Sequence, residues 1–263
     1  MKNVIAAAMI AAVGASASAS VLYATSFEAP TFAAGSLNGQ DGWTAASSPA
    51  TLFQVNGAAG FARTGSQFVF ANTANQTSGG SNWNFRPTII SPVSAPNSII
   101  RASVWTAVLN NTTAAVGRQS AGGIDLYDDS GAVRLGAIRV RNDGAIVIIN
   151  SAGASGTLGA GSVTANAYNQ VAVEADFAAQ KTRWFINGIE INTSALGATF
   201  GNFSATGFGD ADLYAVRTNT LPSGTSGGHT VLFDDFSVER IPTPGALSVL
   251  GLAGLVAARR RRA

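Results

Sequence analysis

The chain has 263 residues, 46% of them hydrophobic and only 11% charged, against about 25% charged in an ordinary globular domain. Lysine occurs twice and glutamate four times, which excludes a coiled coil, a helical bundle or an acidic disordered chain. With no cysteine and a single histidine, His229, a disulfide scaffold, a cysteine-based metal or redox site and a histidine-rich metal centre are excluded too. The formal net charge of +2 is carried by the ends: Lys2 and Arg259–Arg262 set aside, 11 basic residues face 14 acidic ones. No basic cluster is left on the folding part, so nucleic-acid binding is excluded.

The N-terminus joins Lys2 to an apolar run from Val4 to Val13 and then to small residues. These are the three parts of a secretory signal peptide, and the run is too short to span a bilayer. Cleavage is expected after Ala19, with Ala17 as the alternative, giving a leader over residues 1–19.

Residues 20–240 read as one all-β domain. Alternating apolar and polar positions recur between Gly, Asn and Asp clusters. Strands are expected over 22–28, 67–72, 99–109, 123–127, 133–141, 145–149, 170–177, 182–186, 189–191, 212–218 and 230–240. Asn187-Gly188 and Asp143-Gly144 are hairpin turns by residue type, and Asp128–Gly131 is a further turn. Ten to twelve strands without a helix predict a two-sheet sandwich. Phe27-Glu28, the run Gly35–Trp43, the block Tyr168–Gly188 and the closing strand Val231–Val238 together resemble concanavalin A-like, laminin G-like jelly-roll domains, which implies a jelly-roll β-sandwich.

That resemblance also implies a structural calcium ion between a glutamate near the start and an aspartate near the end, here Glu28 with Asp234 and Asp235. Strict alternation along 230–240 puts Asp234 on one face with Leu232, Phe236 and Val238. An apolar face leaves a carboxylate two remedies: an ion such as calcium, or else a bulge that turns it outward or backbone N–H groups that satisfy it. Laminarinase-like enzymes of this fold use a Glu-x-Asp-x-(x)-Glu strand; Glu174-Ala175-Asp176 begins the pattern, and Phe177–Gln180 supply no second glutamate. No Gly-x-Ser-x-Gly elbow accompanies His229. A sugar-stacking platform is conceivable from Trp43, Trp83, Phe85, Tyr127 and Tyr214, with Trp83 and Phe85 flanking Asn84 in a polar stretch. Trp105 and Trp184 are assigned to packing. Arg139 and Arg141 share a face and suit an acidic glycan, or else a solvated face balanced by Asp143.

Residues 241–263 close the chain with a Pro-rich motif (Pro242, Thr243, Pro244, Gly245), an uncharged apolar stretch to Ala258, and Arg259, Arg260, Arg261 and Arg262. The apolar residues surround the helix axis and the arginines mark the cytoplasmic side. This order resembles the PEP-CTERM sorting signal of Gram-negative bacteria, with Thr243 where the naming motif has glutamate. The resemblance implies secretion, transient anchoring in the inner membrane by a transmembrane helix, processing by an exosortase, and release to the cell surface or extracellular polysaccharide matrix. The sequence therefore predicts an exported, non-catalytic surface or matrix protein. The alternative is a carbohydrate-active module, either lectin-like or a remote glycoside hydrolase.

Overall fold

A computed structural model of the protein describes residues 19–45, 51–72, 81–88, 90, 92–95, 98–109, 119–159, 161–218 and 230–242. The leader's residues 1–18, the tail from Thr243 onward and His229 lie outside the described residues. The described chain forms seventeen strands and one short 3₁₀ turn, with no α-helix among the described residues. In chain order the strands are β1 (Ser20–Thr25), β2 (Gly35–Ser36), β3 (Trp43–Ala45), β4 (Phe53–Asn56), β5 (Phe68–Asn72), β6 (Ser81–Pro87), β7 (Val93–Ser94), β8 (Ser98–Leu109) and β9 (Gln119–Asp128). They continue as β10 (Arg134–Arg141), β11 (Ile146–Ile149), β12 (Ser155–Leu158), β13 (Asn169–Asp176), β14 (Lys181–Ile186), β15 (Ile189–Glu190), β16 (Gly207–Thr218) and β17 (Thr230–Pro242).

All pairings are antiparallel. One sheet runs β15-β14-β13-β8-β17-β5-β4-β2, with β1 on the second half of β17. The other runs β12-β11-β10-β9-β16-β6-β3, with β7 on β16. Side chains alternate across each strand, so each sheet turns one apolar row inward. Ile124 and Leu126 of β9, Ile138 and Val140 of β10 and Leu213 of β16 meet Val171, Val173, Val231 and Phe233 of the facing sheet in one core. At the centre the sheets approach so closely that Gly122 admits no side chain: a Cβ there would stand 2.1 Å from Val231 Cγ1 and 2.8 Å from Thr106 Oγ1.

The hairpin turns follow their residue types. Asn187 and Gly188 both take positive φ, 50° and 80°, as a two-residue turn of this kind requires. Gly131 and Gly144 do the same at the other two turns. The strand β17 departs from simple alternation. Its register with β8 slips between Asp234 and Ser237, and Asp235 sits at φ 47°. The bulge returns Phe236 and Val238 to the core beside Val231 and Phe233, and leaves Asp234 on the outer row with Leu232. β17 also runs on to Pro242, paired with Ser98, so the expected boundary at residue 240 falls inside the last strand.

Candidate functional site

Outward-facing residues of β9, β10 and β16 assemble a polar cluster on the outer side of their sheet. On β9 the inward row is Gly122, Ile124 and Leu126, which leaves Gly123, Asp125 and Tyr127 facing out. On β10 the same alternation turns Arg139 and Arg141 outward, and on β16 Asp210, Asp212 and Tyr214. The register then brings Asp125 directly opposite Asp212. Both are buried. Like charges placed opposite each other destabilise a sheet, and two guanidiniums compensate. Arg139 Nη2 reaches Asp125 Oδ1 and Oδ2 at 3.2 and 3.1 Å, and Arg134 Nε lies 3.1 Å from Oδ2. The Asp125 side chain is 0% exposed and that of Arg139 10%, so this ion pair is held away from water.

Two phenols complete the cluster. The Arg139 guanidinium lies over the Tyr214 ring at 3.4 Å from its centroid, and the Tyr127 hydroxyl stands 3.4 Å from Asp125 Oδ2. Burial first, then the charges of Asp125 and Asp212, pushes the Tyr127 hydroxyl up to about 12. Burial does the same for Tyr214, to about 12, with Arg139 pulling the other way. Both phenols therefore remain O–H donors throughout the physiological range. Burial works against the charge of Arg134, but the carboxylate of Asp125 and the phenol of Tyr127 outweigh it and raise its pKa.

The sequence singled out Arg139, Tyr127 and Tyr214 and missed Asp125, Asp212 and Arg134. The missing signal was register: nothing local in Gly123–Tyr127 says that a carboxylate on β16 lies opposite. Arg141 pairs with Asp143, as the balanced-surface alternative expected. Trp43 is no stacking platform. It is fully buried among Tyr23, Phe27 and Phe236, and its Nε1 donates to the Tyr23 hydroxyl at 2.9 Å. Trp83 and Phe85 belong to β6, where the register sets them opposite Ala215 and Leu213 of β16. Trp184 is core, whereas Trp105 lies half-exposed on the outer row of β8. Glu174, at the start of the expected Glu-x-Asp pattern, sits on the far sheet between Arg101 (3.2 Å) and Arg183 (2.9 Å). Burial raises its pKa against the pull of both arginines.

The residues expected around calcium face hydrogen-bond donors. Asp234 is closed off from solvent; its Oδ2 accepts from the Arg63 and Thr64 amides at 2.9 and 3.1 Å, and its Oδ1 from the Asp235 amide at 2.8 Å. Asp235 accepts from the Thr64 hydroxyl at 2.7 Å and from the Arg63 guanidinium. Glu28 accepts from the Ser66 and Gln67 amides and the Ser66 hydroxyl at 2.7–2.9 Å. Desolvation works to raise the pKa of Glu28, but these donors outweigh it and lower it. These donors satisfy the carboxylate oxygens without an ion. The second remedy, a bulge with backbone donors, is the one built here. Among the described residues no three acidic or histidine side chains gather as a metal site.

No family of known proteins matches the chain, and no curated protein does either. Solved structures do. An endo-1,3-beta-glucanase from Streptomyces sioyaensis aligns with a TM-score of 0.56 at 13% identity, over 86% of this chain and 97% of its own. A carbohydrate esterase of the Shiga toxin-encoding bacteriophage phi24B aligns with a TM-score of 0.50 at 16% identity, over 86% and 100%. At such identities the likeness is one of fold: the described chain is an all-β, jelly-roll, concanavalin A-like sandwich. The expectation of a non-catalytic surface or matrix protein is overturned, because the structures that share this architecture are carbohydrate-active enzymes. The Glu-x-Asp pattern begun at Glu174 falls on the far sheet, whereas the buried carboxylate pair lies on β9 and β16.

Proposed function

We propose that the protein binds a polysaccharide across the outer face of β9, β10 and β16 and cleaves its glycosidic bonds there. The observation that carries this reading is the cross-strand pair Asp125–Asp212. Residues directly opposite on neighbouring antiparallel strands hold their Cβ atoms about 4.5–5.5 Å apart. Retaining glycosidases need two carboxyl groups about 5–5.5 Å apart, one as nucleophile and one as acid and base. Both carboxylates are buried and Arg139 lies on both oxygens of Asp125, so Asp125 takes the nucleophile's place, and Asp212 that of acid and base, once substrate displaces that guanidinium. Tyr127, whose hydroxyl donates to Asp125, and Tyr214, beneath Arg139, frame the pair. Likeness of fold to an endo-1,3-beta-glucanase supports β-1,3-glucan as the first substrate to try.

Export completes the proposal. β1 begins at Ser20, so cleavage after Ala19 leaves the strand whole, and the tail beyond β17 carries the motif that an exosortase would process. No helix among the described residues is long and apolar enough to cross a membrane; the anchor belongs to the tail. Release of reducing ends from β-1,3-glucan tests the chemistry. Asp212→Asn is expected to lower turnover by about 100-fold or more with an unchanged melting profile. Full activity in that variant, or an inactive wild type on a panel of neutral and acidic glycans, contradicts it.

A further inference from the structure

The opposite face of the sandwich carries an open polar groove of about 520 Å³, a size usual for a small-molecule site. It crosses β1, β17, β8 and β13, four neighbouring strands, which spans about 14 Å at the usual strand spacing. We propose that this groove is a second glycan-binding site, taking a neutral polysaccharide chain and separate from the Asp125–Asp212 face.

Its centre is Trp105. The Arg63 guanidinium lies over that ring at 3.6 Å from its centroid and pairs with Asp235. The Arg63 amide is bound to Asp234 at 2.9 Å and its guanidinium to Asp235, so the guanidinium is held stacked on the indole face. A flat stack of this kind suits the C–H face of a sugar ring. The pairing with Asp235 cancels the charge of Arg63, which removes the pull on an anionic ligand and leaves N–H donors and carboxylate acceptors side by side.

Hydroxyl recognition comes from the groove's walls. Ser103 and Ser237 share one hydrogen bond of 2.9 Å; whichever accepts keeps its own O–H to give. The Gln170 side-chain amide and the Ser26 hydroxyl line the same groove. Neither side chain hydrogen-bonds to another described residue. Donors and acceptors thus stand together in the groove, the arrangement sugar hydroxyls match and a lone phosphate or carboxylate does not.

Affinity electrophoresis of the full-length chain tests this, in gels carrying β-1,3-glucan, hydroxyethyl cellulose or alginate. Retardation is expected in at least one neutral gel. Trp105→Ala and Gln170→Ala are each expected to weaken it by roughly tenfold or more, while cleavage of short soluble oligosaccharides stays at the wild-type rate. Gln170→Ala decides the matter if Trp105→Ala does not fold. Wild-type retardation in both variants, stronger retardation in alginate than in the neutral gels, or no retardation of the wild type in either neutral gel overturns the proposal. Retardation lost in the variants of a chain that cleaves nothing would uphold this site and sink the proposed reaction instead.

Discussion

Asp234 shows how a single carboxylate reports on its surroundings. Burial pushes its pKa up to about 6, while the Thr64, Asp235 and Arg63 amides pull it down and the neighbouring Asp235 adds to the rise. A carboxyl raised in the folded state binds its proton there more tightly than in the unfolded chain. Its contribution to stability is therefore complete below the unfolded value near 4 and is lost as pH rises through about 6, an effect of about 2–3 kcal/mol. A carbon-detected NMR titration of Asp234 should find its midpoint near 6, and a midpoint near 4 would contradict this environment. Asp234→Asn puts an amide NH₂ against backbone donors and should cost about 1–3 kcal/mol. Asp125 is the harsher case. Removing it strands Arg139 and Arg134 on the sheet, so Asp125→Ala is expected to lower stability by about 3–5 kcal/mol in urea unfolding; a change under 1 kcal/mol would mean that the cluster is solvated.

At the scale of strands, legibility followed local chemistry. The hairpins around Asn187-Gly188 and Asp143-Gly144 could be read because residues tolerant of positive φ stand between alternating runs. β8, β13 and β16 stand where alternation put them, to within a few residues. β6 was missed because Ser81–Pro87 is polar and Asn-rich, and its strand character comes from pairing with β16 rather than from its own residues. The bulge in β17 was open as one of two remedies for Asp234, and only the loop carrying Arg63 and Thr64, some 170 residues away in sequence, decides between them. The carboxylate pair was illegible for the same reason: Asp125 and Asp212 meet through long-range register. Register also explains Gly122, which sits where Val231 and Thr106 crowd the space between sheets. Gly122→Ala should destabilise by about 1–3 kcal/mol or more through overpacking. A neutral or stabilising result in thermal melts would show that the two sheets have slack there.

At the scale of the whole molecule, the proposed leader and sorting tail flank a single sandwich. The strand β17 continues through Ile241 to Pro242 in the sheet, so the first residue of the Pro-rich motif belongs to the last strand. Deleting residues 243–263 should leave the fold intact and shift the protein between cell compartments on fractionation; an unchanged distribution would contradict the sorting role. Of the two outer faces, one holds the paired carboxylates and the other Trp105 with Arg63 stacked on it. The most direct measurement is a titration of the isotope-labelled chain with a β-1,3-linked oligosaccharide, following Arg139 Nε and the amides of β9, β10 and β16. Saturable shifts centred on Asp125, Tyr127, Arg139 and Tyr214 are expected, abolished or much weakened in Asp212→Asn. Shifts confined to other parts of the molecule, with this face silent for every glycan tried, would contradict the proposed site.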